Sequence, residues 1–152
     1  MSSPNFGSVL DKPSDEIKRP PALPGGHYIF VLKGLPRQDK SSKKQTEFVE
    51  FTAFPVQAQD DVDEEEMKAF VDAFGSIQEK VQKLTFYLTE NSVFRLKEFM
   101  FDDLKIEDDG GPLRPKLEQT IGCQFLGHVV QTPSDDGKGM YANIKTTAPI
   151  ED

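Results

Sequence analysis

Five short apolar segments, each bounded by glycine, proline or a charged run, constrain this chain to a β-rich fold. They cover residues 27–35, 46–56, 81–89, 122–132 and 140–147. Segments this short, rich in β-branched and aromatic residues, read as strands. Side chains alternate across a strand. In the second segment Val49, Phe51 and Ala53 therefore share one face, and Phe48, Glu50, Thr52 and Phe54 share the other. Phenylalanine on both faces means a strand covered on both sides or a half-exposed aromatic platform. In the third segment Leu84, Phe86 and Leu88 point inward, leaving Lys83, Thr85 and Tyr87 outward. Residues 133–139, Pro-Ser-Asp-Asp-Gly-Lys-Gly, carry the turn chemistry of a hairpin between the last two strands.

Two helices interrupt the strands. The first is expected over residues 60–80. Its acidic start suits the positive end of a helix dipole, and Asp63 and Glu66 have capping-box spacing. Met67, Phe70, Val71, Phe74 and Ile77 form its core-facing stripe. The second runs from a cap at Asn91 or Ser92 to about Leu104, burying Val93, Leu96, Phe99, Met100 and Leu104. Residues 117–121 read as a short turn. Residues 1–24 hold five of the eleven prolines and read as an extended Pro-rich arm. Phe6, Val9 and Leu10 within it are able to tuck against the domain.

With 152 residues the chain fits one domain. Twelve phenylalanines and no tryptophan make Phe the main bulky core residue, with some left for the surface. No apolar run approaches a membrane span, and the first residues lack the basic start and apolar stretch of a signal peptide. A cytoplasmic protein without membrane attachment is expected.

Motifs for catalysis are missing from the sequence. It has no phosphate-binding Gly-x-x-x-x-Gly-Lys-Ser/Thr loop and no Gly-x-Ser-x-Gly elbow. The two histidines, His27 and His128, both fall in strands, with no metal-ligand spacing. Asp135-Asp136-Gly137 lacks the later acidic ligand of a calcium loop. The single cysteine, Cys123, cannot form an internal disulfide and reads as a small buried apolar residue. The expectation is a binding protein, not an enzyme, needing no metal or cofactor.

A net charge of −8 argues against gripping nucleic acid with the whole surface. The charge is segregated, however. Lys33, Arg37, Lys40, Lys43 and Lys44 cluster around the loop after the first strand, opposed locally by Asp39 alone. Phe48 follows directly, with Phe54 on the same face. Cations that track phosphates and aromatic faces that stack bases are what holds a single strand. Lys83, Tyr87, Tyr141 and Lys145 are placed to extend that surface from other strands. The plainer reading is a solvated Lys-rich hairpin over two core phenylalanines.

Several short motifs carry a family likeness. They are Leu23-Pro-Gly-Gly-His-Tyr28, Lys44-Gln-Thr-Glu-Phe-Val-Glu-Phe51, Leu84-Thr-Phe-Tyr-Leu88 with the helix after it, and Ile121-Gly-Cys-Gln-Phe-Leu-Gly-His-Val-Val130. In this order they resemble phage-encoded single-stranded DNA-binding proteins of the OB-fold type, over about residues 22–148. The resemblance implies a β-rich α+β fold: a five-stranded, OB-like, partly open barrel with two helices, over residues 25–148. It implies non-sequence-specific binding of single-stranded DNA during phage-type replication or recombination, in the host cytoplasm. It also implies contact with replication or recombination proteins through an acidic C-terminal end, here reduced to residues 149–152. The sequence departs from the family in the acidic helix at 60–80 and in having no long acidic tail. That helix would lie away from the groove or compete with DNA for it. The alternative is a protein-interaction module, a phage structural or adaptor protein using the Pro-rich arm and the acidic helix. Oligomeric state is left open.

Overall fold

The computed structural model describes residues 21–137 and 139–150. Most of the Pro-rich arm and the last two residues of the acidic end lie outside them. The fold is a β-rich α+β structure built on one six-stranded antiparallel sheet. Its strands are β1 (Gly26–Leu32), β2 (Arg37–Lys40), β3 (Glu47–Ala58), β4 (Gln82–Tyr87), β5 (Gln124–Pro133) and β6 (Met140–Ala148).

The first strand ends three residues sooner than expected, and one strand more than expected forms beyond it. Gly34 takes φ +78° and Pro36 has no N–H to donate. The ribbon therefore stops at Leu32 and resumes as β2. Both pieces pair with the same edge of β3, β1 along Ala53 to Ala58 and β2 along Glu47 to Glu50. Lys40 thus ends a strand. The turn beyond it is closed by Ser41 N–H to Thr46 O at 2.8 Å and Gln45 N–H to Ser41 O at 3.0 Å. β4 takes the other edge of β3, β5 pairs with β1, and β6 pairs with β5. The sheet curls until β6 runs beside β4, but no ladder joins them and the barrel-like sheet stays open.

The helices differ in extent and number from the pattern. α1 (Glu64–Phe74) starts four residues later than expected, at the anticipated cap, with the Asp63 side chain accepting from Glu66 N–H at 2.9 Å. It stops at Gly75, whose φ of +117° suits only glycine, and a separate 3-10 turn follows at Ile77–Glu79. α2 (Val93–Glu98) passes into a π-helical turn, Phe99–Asp103, that swings Phe99 and Met100 into the core. Ser92 precedes it without a side-chain cap bond. A third helix, the 3-10 segment Arg114–Thr120, replaces the short turn expected at 117–121.

The core fills the inside of the curled sheet. Val49, Phe51 and Ala53 are buried there, as the alternation required. Phe99 meets the rings of Phe51, Phe86 and Phe125 at 5.1–5.3 Å, joining the π turn to β3, β4 and β5. Such aromatic contacts add to the burial of area itself.

Candidate nucleic-acid interface

The outward face of β2, β3 and β4 gathers the residues singled out by the sequence. Cross-strand pairing sets them in rows. Asp39, Phe48 and Tyr87 form one row; Arg37, Glu50 and Thr85 form the next; Thr52 and Lys83 form a third. Within the rows, Lys83 Nζ donates to Thr52 Oγ1 at 2.9 Å and Thr85 Oγ1 donates to Glu50 Oε2 at 3.3 Å. Lys33 reaches over from the break after β1, its ammonium 4.7 Å from the centre of the Phe54 ring. Lys43 and Lys44 lie exposed in the closed turn at one end of the face, next to Lys40.

Outward does not mean exposed for Phe48. Only 9% of it reaches solvent, because Tyr87 packs edge-on against its ring and the Arg37 guanidinium lies 5.1 Å over it. Phe54 is half-buried beneath Lys33. Tyr87 keeps half its surface. Arg37 is itself tied down: Nη1 is 2.9 Å from Asp39 Oδ2, and Nε is 3.5 Å from Glu50 Oε1.

Lys145 stands across the open seam. With Tyr87 and Arg95 it lines a cleft of about 480 Å³ between β4, β6 and α2. Glu98, Asp102 and Asp103 line the same cleft, so it is mixed in charge. Burial holds the Asp103 carboxyl above the usual carboxylate range, against the pull of a hydrogen bond from the Thr147 hydroxyl. Tyr141 is exposed near the start of β6, and no ring contact joins it to the other aromatics among the described residues.

Arg114 was not singled out by the sequence, and the fold brings it in. Its guanidinium donates to the Gln38 side-chain oxygen, and it shares a groove with Lys40 and Phe48. No local pattern signals this, since 76 residues separate Arg114 from Gln38. Arg95 likewise joins Tyr87 and Lys145 only through the packing of α2 on the sheet.

The remaining chemistry lies elsewhere. His27 and His128 face each other on β1 and β5 with rings stacked at 4.5 Å and 7°. Imidazole lone pairs lie in the ring plane, so in this stack they do not converge on one ion. Asp61 takes His27 Nδ1 at 2.6 Å and the His27 N–H at 2.9 Å. The side-chain hydrogen bond from His27 is the main cause of the lowered pKa of Asp61. Among the described residues no group of three His, Cys, Asp or Glu is arranged to hold a metal ion. Cys123 is partly buried, its thiol pushed up by desolvation and donating to Gln119 O at 3.1 Å. Among the described residues no helix is long and apolar enough to cross a membrane. No protein-family model matches the chain, and no curated protein is significantly similar to it.

Proposed function

We propose that this chain binds single-stranded DNA without sequence preference, in phage-type replication or recombination, on the outward face of β2, β3 and β4. One observation carries the reading. Strand pairing puts Arg37, Lys83 and Tyr87 on a single face, where Lys33 lies over the Phe54 ring and the basic turn stands at the end. The lysines would meet phosphates and the flat side-chain surfaces would meet bases. The strand path supports an OB-type barrel. The path is β4-β3-β1-β5-β6, with β6 returning beside β4 and α2 lying between β4 and β5. Taking β2 as part of the first long loop, it follows the five-stranded OB order. In that fold the second and third strands and the first long loop hold oligonucleotides. Here these are β3, β4 and residues 33–46.

Fluorescence anisotropy of labelled oligo-dT across a salt series tests this. Binding is expected at low salt, weakening linearly on a log–log plot. A combined Lys40→Glu, Lys43→Glu and Lys44→Glu variant should lose affinity and flatten the slope. Absence of binding at low salt by folded protein refutes the proposal.

A second reading has its own observation. Beside α1 lies an open groove of about 700 Å³, floored by Val62, Met67 and Val71 and rimmed by Asp60, Glu64 and Asp72. This favours a protein-interaction module. An adaptor of that kind would be indifferent to the three-lysine variant.

A further inference from the structure

The geometry points to Arg37 as a base-stacking residue, not a phosphate ligand, with Phe48 as the buried support that positions it. The inference rests on the proposed DNA-binding reading and assigns roles within that face.

Three observations carry it. First, Phe48 has almost no surface of its own, so no base can lie on it. Its ring instead supports Arg37 from below and Tyr87 from the side. Second, the Arg37 side chain keeps 58% of its surface although its guanidinium carbon lies only 5.1 Å from the centre of the Phe48 ring. A guanidinium is a flat, weakly hydrated cation that stacks readily, and arginine planes are established partners for unpaired bases. Third, two edges of that guanidinium are already committed to Asp39 and Glu50. One cation between two carboxylates leaves the cluster with a net negative charge. A phosphate approaching it would meet repulsion, whereas an uncharged base would meet an open flat surface.

Lys33 provides the contrast. It also lies over a ring, that of Phe54, but forms no ion pair among the described residues. Its charge remains available to phosphate. The face thus divides its labour: lysines at Lys33, Lys43 and Lys44 track the backbone, and Arg37 with the exposed ring of Tyr87 takes bases. Only strands with unpaired bases satisfy both, which gives selectivity for single strands over duplex.

The test compares Arg37→Ala, Arg37→Lys and Lys33→Ala with the unaltered protein. Each is titrated with oligo-dT and with an abasic oligomer of the same length, over a salt series. Circular dichroism confirms that each variant is folded. Stacking predicts that both Arg37 variants weaken oligo-dT binding about tenfold; Arg37→Lys keeps the charge between Asp39 and Glu50, so its salt slope and its binding to the abasic strand should be unchanged. Lys33→Ala should instead reduce the slope by about 0.7, the value of one phosphate on a single strand, on both oligomers. The assignment is overturned if Arg37→Lys binds oligo-dT as the unaltered protein does. It is equally overturned if Arg37→Lys weakens binding to the abasic strand as much as to oligo-dT. If the unaltered protein binds no oligo-dT at low salt, the DNA-binding reading falls, and this assignment with it. The first two outcomes remove only the role of Arg37.

Discussion

Gly127 stands on β5 opposite Tyr28, with its inner side turned to the core. A Cβ placed there would lie 2.7 Å and 2.8 Å from two ring carbons of Phe30, and 3.3 Å from Phe125. Unstrained carbon contacts sit at about 3.5–4.0 Å, so the Phe30 ring would have to retreat by roughly 1 Å. It has nowhere to go. Phe30 is fully buried, stacked on Phe125 at 5.5 Å and packed against Tyr28 at 6.0 Å. Interiors this dense transmit the strain. Overpacking of this kind costs about 1–3 kcal/mol, and the lower entropy of an unfolded chain with alanine offsets about 0.4–1 kcal/mol of it. Gly127→Ala should therefore destabilise by about 1–2 kcal/mol, lowering Tm by roughly 2–8 °C. The assay is thermal and urea unfolding followed by far-ultraviolet circular dichroism. Gly25→Ala is the control, because its Cβ would meet only Val129 O at an ordinary 3.5 Å. The decisive measurement is a cycle with Phe30→Leu. Removing the ring relieves the clash, so the double variant should lose less than the two single losses added. Strict additivity, or a Gly127→Ala protein as stable as the parent, would refute this packing of β1 on β5.

Asp103→Asn gives a stability effect that depends on pH. A carboxyl whose folded pKa is raised favours the fold while protonated. That contribution is present below its unfolded pKa, near 4, and is lost as pH rises through the folded value. Burial raises Asp103, and the Thr147 hydroxyl can still donate to an asparagine oxygen. Asp103→Asn should therefore melt above the parent at pH 7, with the difference vanishing by about pH 3; a variant less stable at pH 7 contradicts this. Asp63→Ala removes the cap that accepts from Glu66 N–H at 2.9 Å. It should cost about 1 kcal/mol in urea unfolding, and no change in the midpoint would show that the start of α1 is not coupled to the fold.

What the sequence made legible was the pleat. Val49, Phe51 and Ala53 point inward because alternation leaves a half-buried strand no other choice. The α1 start was legible for a similar reason, since Asp63 and Glu66 act over three residues. What stayed hidden was set from a distance. β2 is Arg-Gln-Asp-Lys, a tetrapeptide with no apolar residue, and it is a strand because the edge of β3 offers partners. Burial of Phe48 was hidden by the same logic. Alternation assigned its face, but exposure on that face depends on long side chains from β2 and β4 that close over it. Arg114 reached the site only through tertiary packing. The candidate site was thus readable as a set of strands, while the roles of individual residues were not.

The net charge of −8 bears on the proposed face less than its size implies. Asp61 is fixed to His27, and Val62 lies against Gly26, where β1 begins. The acidic start of α1 is thereby held near the end of β3 at Ala58. The basic turn precedes β3 at Glu47, eleven residue steps away, roughly 36 Å of strand. The screening length at physiological salt is about 8 Å. Carboxylates at the far end of β3 therefore contribute little potential at the turn. Locally, Lys33, Arg37, Lys40, Lys43, Lys44 and Lys83 stand against Asp39, Glu47 and Glu50. The balance on and beside the face is positive in an acidic chain. A molecule charged this way presents an anionic strand with one attractive end and one repulsive end, which orients the encounter before contact is made. Segregation along β3, and not the overall sum, is the electrostatic property on which the face depends.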